Sequence, residues 1–210
     1  MELTVNAYPG KLIVFEGTDG AGKTTMIGKT MEYLSGKYGE ERCLLLKQPT
    51  DLSRKTRLFQ KMMYCKNNAD VSYRAVQLLT LSDRVQQNHE VIVPALKQGK
   101  IVVCDRYLYT SIANMRAREY RGERWFFDAC REIVKPDHAF LAYADPELAI
   151  ERIKKRPEEC TRHLDEALLR KVSREFLSMR EEAEFCILDT AGKAESAFAK
   201  VKARLSAAGI

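Results

Sequence analysis

The chain has 210 residues, 45% of them hydrophobic and 30% charged, with a formal net charge of +6. This length suits one α/β domain with an ample core, and the composition excludes a disordered, collagen-like or disulfide-stapled chain. Lys and Arg are scattered among Asp and Glu rather than gathered in a tail, so the charge points to small phosphorylated ligands and not to nucleic acid. No apolar run approaches the ~20 residues that a membrane-spanning helix needs. The start, Met1-Glu2-Leu3-Thr4-Val5, lacks the basic flank and apolar core of a signal peptide, so a cytoplasmic protein with no membrane partner is expected.

The first apolar run, Leu12-Ile13-Val14-Phe15, reads as a buried strand. It leads into Glu16-Gly17-Thr18-Asp19-Gly20-Ala21-Gly22-Lys23-Thr24-Thr25, where Gly17, Gly22, Lys23 and Thr24 satisfy the phosphate-loop pattern G-x-x-x-x-G-K-S/T in a strand–loop–helix setting. Glycine tolerates positive φ and lets backbone approach a ligand, so consecutive N–H groups can turn inward around phosphate oxygens. The helix that follows adds the positive end of its dipole. Lys23 is expected on the β- and γ-phosphates of a nucleoside triphosphate, and the Thr24 hydroxyl on Mg²⁺.

Ile27, Met31, Leu34 and Tyr38 recur at steps of four, three and four, the face of a helix turned toward a sheet. A short buried strand, Arg42-Cys43-Leu44-Leu45-Leu46-Lys47, ends in the loop Gln48-Pro49-Thr50-Asp51, expected on the same side as the phosphate loop. Residues 54 to about 66 read as a basic helix. Residues 72 to about 97 read as one long helix or two broken ones, with Pro94 as the break. Ile101-Val102-Val103-Cys104 is the clearest buried strand. It ends on Asp105-Arg106-Tyr107, which puts Asp105 where a strand-end carboxylate holds Mg²⁺ opposite Thr24 and Arg106 where a guanidinium can grip phosphate oxygens.

From about 110 to 134 the pattern is helical and rich in arginine. His138-Ala139-Phe140-Leu141-Ala142-Tyr143 is a fourth strand, and Pro146 fits the first turn of the next helix. The charged stretch 152–165, with Pro157, reads as a mobile loop. Leu169, Val172, Phe176 and Met179 restart a helix, and Phe185-Cys186-Ile187-Leu188 is a fifth strand before a terminal helix. Strands alternating with helices from a phosphate loop imply a parallel sheet with helices on both faces. The six cysteines form no C-x-x-C pair and read as free thiols, and the three histidines lack metal-ligand spacing.

The phosphate loop with its acid, Asp19, together with Asp105-Arg106-Tyr107, Leu81-Ser82-Asp83-Arg84, Pro136-Asp137 and Asp189-Thr190-Ala191, closely resembles the thymidylate kinases, over about residues 12 to the terminal helix. The resemblance implies a three-layer phosphate-loop kinase fold, with a five-stranded parallel sheet, one domain over 1–210 and a lid at about 152–165. It also implies a homodimer and transfer of the ATP γ-phosphoryl group to a nucleoside monophosphate, dTMP favoured. ATP and Mg²⁺ are the implied cofactors.

Carried over position by position, residues Gly17 to Thr25 (Thr18, Gly20 and Ala21 included) cradle the donor phosphates. Asp19 lies near the acceptor's sugar and phosphate, and Arg106 on the acceptor phosphate. Arg84 contacts the acceptor base, with Tyr107 and Thr110 completing that pocket. The lid supplies Lys155, Arg156 or Arg162 for charge stabilisation, with Arg156 counted as catalytic beside Lys23. Thr190 and Ala191 contact adenine. The chain departs from the family at three places. Thr80 stands where an aromatic residue usually stacks on the base, Asn114 where Tyr or Phe faces the deoxyribose, and Lys47-Gln48-Pro49 where R-E-P is frequent. Phe59, Tyr107 or Tyr109 are candidates to supply the missing ring. Another monophosphate or a deoxynucleoside as acceptor, and an ATP-binding regulatory homologue, are the alternatives left open by those substitutions.

Overall fold

The computed structural model describes residues 2–64, 70–157 and 164–210. Five strands, β1 (Lys11–Glu16), β2 (Cys43–Lys47), β3 (Ile101–Asp105), β4 (His138–Tyr143) and β5 (Cys186–Asp189), form one parallel sheet in the order β2-β3-β1-β4-β5. The expected strands are thus all present, each within two residues of its sequence bounds.

The alternation of the strand residues sorts the core into two layers. Ile13, Phe15, Val103, Phe140 and Leu188 face helices α1 (Lys23–Tyr38) and, near the carboxyl end of the chain, α10 (Ala194–Ala207), with Met26, Leu34, Val201 and Leu205 packed against them. Leu12, Val14, Val102, Cys104 and Leu141 face the opposite way, into the larger core. That core is covered by the helices of the middle of the chain, so the sheet lies between two helical layers. Four consecutive residues of β1, Leu12 to Phe15, have no exposed surface, which is why this strand reads as an unbroken apolar run.

The segment after β2 is two short helices, α2 (Asp51–Arg54) and α3 (Arg57–Tyr64). Next, α4 (Tyr73–Gln87) runs into a π-helical turn (Asn88–Ile92) and then into α5 (Val93–Lys97). Pro94 therefore does not break the rod. The widened turn before it absorbs the missing N–H, and Asn88 in that turn ties the rod to the Glu132 carbonyl and the Val134 N–H. The expected helix over 110–134 is in fact two pieces, α6 (Leu108–Ala117) and α7 (Arg124–Ala129). The chain turns between them through Glu119, whose φ is 65°. Helices α8 (Pro146–Lys154) and α9 (Glu166–Ser178) flank the expected lid, of which 158–163 lie outside the described residues.

Cys43, Cys104, Cys130 and Cys186 are free thiols, while Cys65 and Cys160 lie outside the described residues. Among the described residues no helix is long and apolar enough to cross a membrane.

Candidate active site

The carboxyl ends of β1 and β3 lie side by side, with Phe15 in register with Asp105. The loops that leave them form one rim, at the point where the strand order reverses around β1. Gly17 (φ 133°) and Gly20 (φ 77°) are held against the Ala142 and Ala149 carbonyls so closely that a Cβ would meet those oxygens at 2.3 and 2.2 Å. Only glycine fits there. Helix α1 starts at Gly22 with no side-chain cap and no acidic residue in its first turn, so its leading N–H groups face the cleft.

Lys23 folds back over this loop. Its Nζ donates to the Gly17 and Thr18 carbonyls at 2.9 and 2.8 Å. Burial and the neighbouring Arg106 guanidinium push its pKa down to about 7. Thr24 and Thr25 are exposed beside it.

Arg106 has a backbone φ of 67°, in the left-handed region, and its N–H donates to the Phe15 carbonyl at 2.9 Å. Its guanidinium forms an ion pair with Asp19 and donates to the Gly17 carbonyl at 3.0 Å and the Thr110 hydroxyl at 3.3 Å. Burial works against its charge, but the Asp19, Asp105 and Glu16 carboxylates outweigh that and hold its pKa above the usual arginine value.

Beneath it, fully buried Glu16 accepts from the Tyr107 N–H (2.9 Å), the Thr110 N–H (3.1 Å) and the Thr110 hydroxyl. These two N–H groups belong to the start of α6, so one carboxylate caps the helix and underpins Arg106. Burial, opposed mainly by Thr110, raises the Glu16 pKa. Asp105 has one oxygen 3.9 Å from Lys47 Nζ and the other buried with no hydrogen-bond partner among the described residues.

A cavity of about 480 Å³ opens from this rim down between α3, α4, α6 and α9. Of the expected site residues, Thr18, Asp19, Gly20, Gly22, Lys23, Thr24, Thr80, Arg84, Asp105, Arg106, Thr110, Asn114 and Arg156 line it together. Thr190 is buried behind the phosphate loop. Its hydroxyl donates to the Ala21 carbonyl at 2.8 Å, and exposed Ala191 follows it.

Tyr107 departs from expectation. It has no exposed surface, its hydroxyl donates to the Val134 carbonyl at 2.9 Å, and it does not line the cavity. The left-handed turn at Arg106 sends the arginine into the cleft and the next ring into the core. Tyr109 is likewise packed edge-on against Phe185. Phe59 is the one ring of those three that reaches the cavity. Lys155 is exposed and paired with Glu151, off the cavity wall, and Arg162 lies outside the described residues.

Several cavity residues carry no motif. Arg54 donates to the Pro49 carbonyl at 2.6 Å and reaches the same wall as Arg106, and burial lowers its pKa. Arg118 lies over the Tyr73 ring at 4.2 Å and donates to the Asn114 side-chain oxygen at 2.8 Å. Arg152 donates to the Thr190 carbonyl at 2.8 Å and the Gly20 carbonyl at 3.4 Å, joining two loops that the sequence keeps far apart. Gln48 is buried and donates to Gln87 at 2.9 Å, and its side chain does not line the cavity.

Comparison with known proteins agrees with this arrangement. A family model described as thymidylate kinase matches residues 15–201. The chain is 35% identical over 175 residues to a probable thymidylate kinase of Pyrococcus horikoshii, covering 82% of this chain and 83% of that protein. It is 30% identical over 200 residues to a thymidylate kinase of Caldicellulosiruptor saccharolyticus, covering 92% and 94%. The crystal structure of thymidylate kinase from Ehrlichia chaffeensis shares the fold with a TM-score of 0.70 at 22% identity, over 93% of this chain and 98% of that one.

Proposed function

The chain belongs to the thymidylate kinase family, and from that membership we propose that it transfers the γ-phosphoryl group of ATP to dTMP, giving ADP and dTDP. One observation carries the reading at the level of the site: Lys23, Asp105, Arg106 and Asp19 line a single cavity together with Thr80, Arg84 and Asn114.

Phosphoryl transfer asks a protein for alignment and for positive charge rather than for covalent chemistry. In this reading the phosphate-loop amides and Lys23 hold the donor phosphates, and Arg106, aimed by Asp19 and Gly17, grips the acceptor phosphate in line with them. Arg54 adds a second guanidinium on the acceptor side. Arg156, which lines the same cavity, is assigned to charge stabilisation between the donor and acceptor phosphates, and Arg152 holds the phosphate loop against the loop at Thr190 and Ala191, where adenine would bind. A monophosphate oxygen is already anionic near neutral pH, since its second pKa is about 6, so no general base is required. That favours a monophosphate over a nucleoside hydroxyl, because buried Gln48 offers no carboxylate after β2.

The orphaned Asp105 oxygen and the exposed Thr24 hydroxyl fit Mg²⁺, a hard cation bound through few protein oxygens. Held there, the ion would supply charge neutralisation for the phosphoryl group in transfer. We further propose a cytoplasmic homodimer that binds no nucleic acid or membrane. Leu78 and Val91, exposed apolar residues on the rod of α4 and its π turn, support an interface there.

The test is ADP production from Mg-ATP across dTMP, dUMP, UMP, dCMP, AMP, GMP and thymidine. Strong preference for dTMP is expected. Turnover of thymidine alone, or ATP binding with no acceptor-dependent turnover, would overturn the proposal.

A further inference from the structure

The residues that replace the family's aromatic wall do not offer their own polar groups to an acceptor base. The Thr80 hydroxyl donates to the Gln77 carbonyl at 3.3 Å. The Asn114 amide nitrogen donates to the Thr110 carbonyl at 2.9 Å, and its oxygen is taken by Arg118. Two other atoms on the wall formed by α4 are buried without a partner among the described residues, Arg84 Nε and Gln77 Oε1. Gln77 is 4% exposed and Arg84 2%, and both line the cavity.

Their placement makes them a pair. Seven residues apart on one helix, they share a face. The Arg84 side chain leans back toward the start of α4, so that Nη1 donates to the Thr80 carbonyl at 3.1 Å, one turn from Gln77. A buried donor and a buried acceptor on one helix face, each without a partner, carry a desolvation penalty that a complementary ligand relieves.

We propose that Gln77 is a base-reading residue: its Oε1 accepts the N3–H of a 4-keto pyrimidine while Arg84 donates to an adjacent ring carbonyl. This deepens, and rests on, the dTMP reading above. Thymine and uracil present a donor next to an acceptor on that edge. Cytosine presents a lone pair at N3 and an amine at C4, so acceptor would face acceptor and donor would face donor. Gln77 lines the cavity one turn before Thr80 with its oxygen buried in the wall, so a base meets that oxygen after a small turn of the Gln77 side chain.

The experiment compares kcat/KM for dTMP, dCMP and N3-methyl-dTMP in the wild-type chain and in Gln77→Leu, with melting temperatures for both. The wild type should prefer dTMP over each of the other two by on the order of a hundredfold, as expected of a site built to hydrogen-bond its ligand. In Gln77→Leu the preference over N3-methyl-dTMP should collapse to within about tenfold, through loss on dTMP alone, with the melting temperature unchanged or raised. Gln77→Met serves the same purpose if the Leu variant does not fold. An equal loss on all three substrates, or an unchanged preference, would overturn the assignment of Gln77 while leaving the kinase reading intact. Absence of dTMP turnover in the wild type would instead overturn the kinase reading, and this one with it.

Discussion

Asp19 and Arg106 form an ion pair across the mouth of the phosphate loop, although 87 positions separate them in the chain. Arg106 also donates to the Gly17 carbonyl and the Thr110 hydroxyl, so three acceptors fix the direction of one guanidinium. A planar fork held this way suits a phosphate, and a lysine cannot reproduce it. Arg106→Lys is expected to lower kcat/KM for dTMP on the order of a hundredfold with Mg-ATP affinity near its starting value. Steady-state kinetics and titration of a fluorescent ATP analogue check both halves. Near-normal turnover would remove Arg106 from the acceptor phosphate.

Lys23 sets a pH dependence whose sign follows from its environment. Its pKa stands at about 7 in the ligand-free site and returns toward the ordinary lysine value when phosphates surround it. Binding therefore takes up a proton above pH 7, and affinity for ATP is greatest below pH 7 and falls as pH rises through the range from about 7 to 9. Calorimetry in buffers of different ionisation enthalpy reads the proton uptake directly. In Lys23→Met the uptake should vanish along with turnover.

Glu16 acts through others. In Glu16→Gln the amide oxygen can still accept from the Tyr107 and Thr110 N–H groups, but the amide nitrogen in place of the other oxygen cannot accept from the Thr110 hydroxyl, and the negative charge at the start of α6 is lost. Destabilisation of about 2–4 kcal/mol is expected by denaturant unfolding. Because α6 carries Thr110 and Asn114, kcat/KM should fall more for dTMP than for ATP, and equal losses would deny Glu16 that positioning role.

In the proposed reading Asn114, on the cavity wall, faces the acceptor sugar with a side chain smaller than the ring it replaces. The wild-type enzyme should discriminate between dUMP and UMP by less than about tenfold, and Asn114→Tyr should widen the gap by about tenfold or more. Competition assays with the two monophosphates decide the point. A variant with unchanged discrimination would place the sugar elsewhere.

The layers of this fold were legible in the sequence because the inner strands β1, β3 and β4 are buried on both faces and so are written as short apolar runs, while the edge strands β2 and β5, less buried, keep the same apolar character. The phosphate loop was legible because its chemistry is local. What stayed hidden was set by contacts between distant residues. Nothing near Glu119 predicts the end of α6, which coincides with Arg118 settling over Tyr73 and with the pairing of Arg74 and Glu123. Arg54 looked like one more charge on a basic helix until the fold brought it beside Arg106. The resemblance implies a place for Tyr107 in the pocket, but a single left-handed residue before it turns the ring into the core.

That residue has a consequence for how the chain tolerates substitution. A left-handed backbone costs a side chain such as arginine roughly 1–2 kcal/mol that glycine does not pay. Arg106→Gly relieves that strain but also removes the ion pair with Asp19 and the bonds to the Gly17 carbonyl and the Thr110 hydroxyl, so turnover should be lost and the melting temperature should fall. Backbone strain and the contacts that offset it thus reside in one residue, and a change there is felt in the cleft before it is felt in the core.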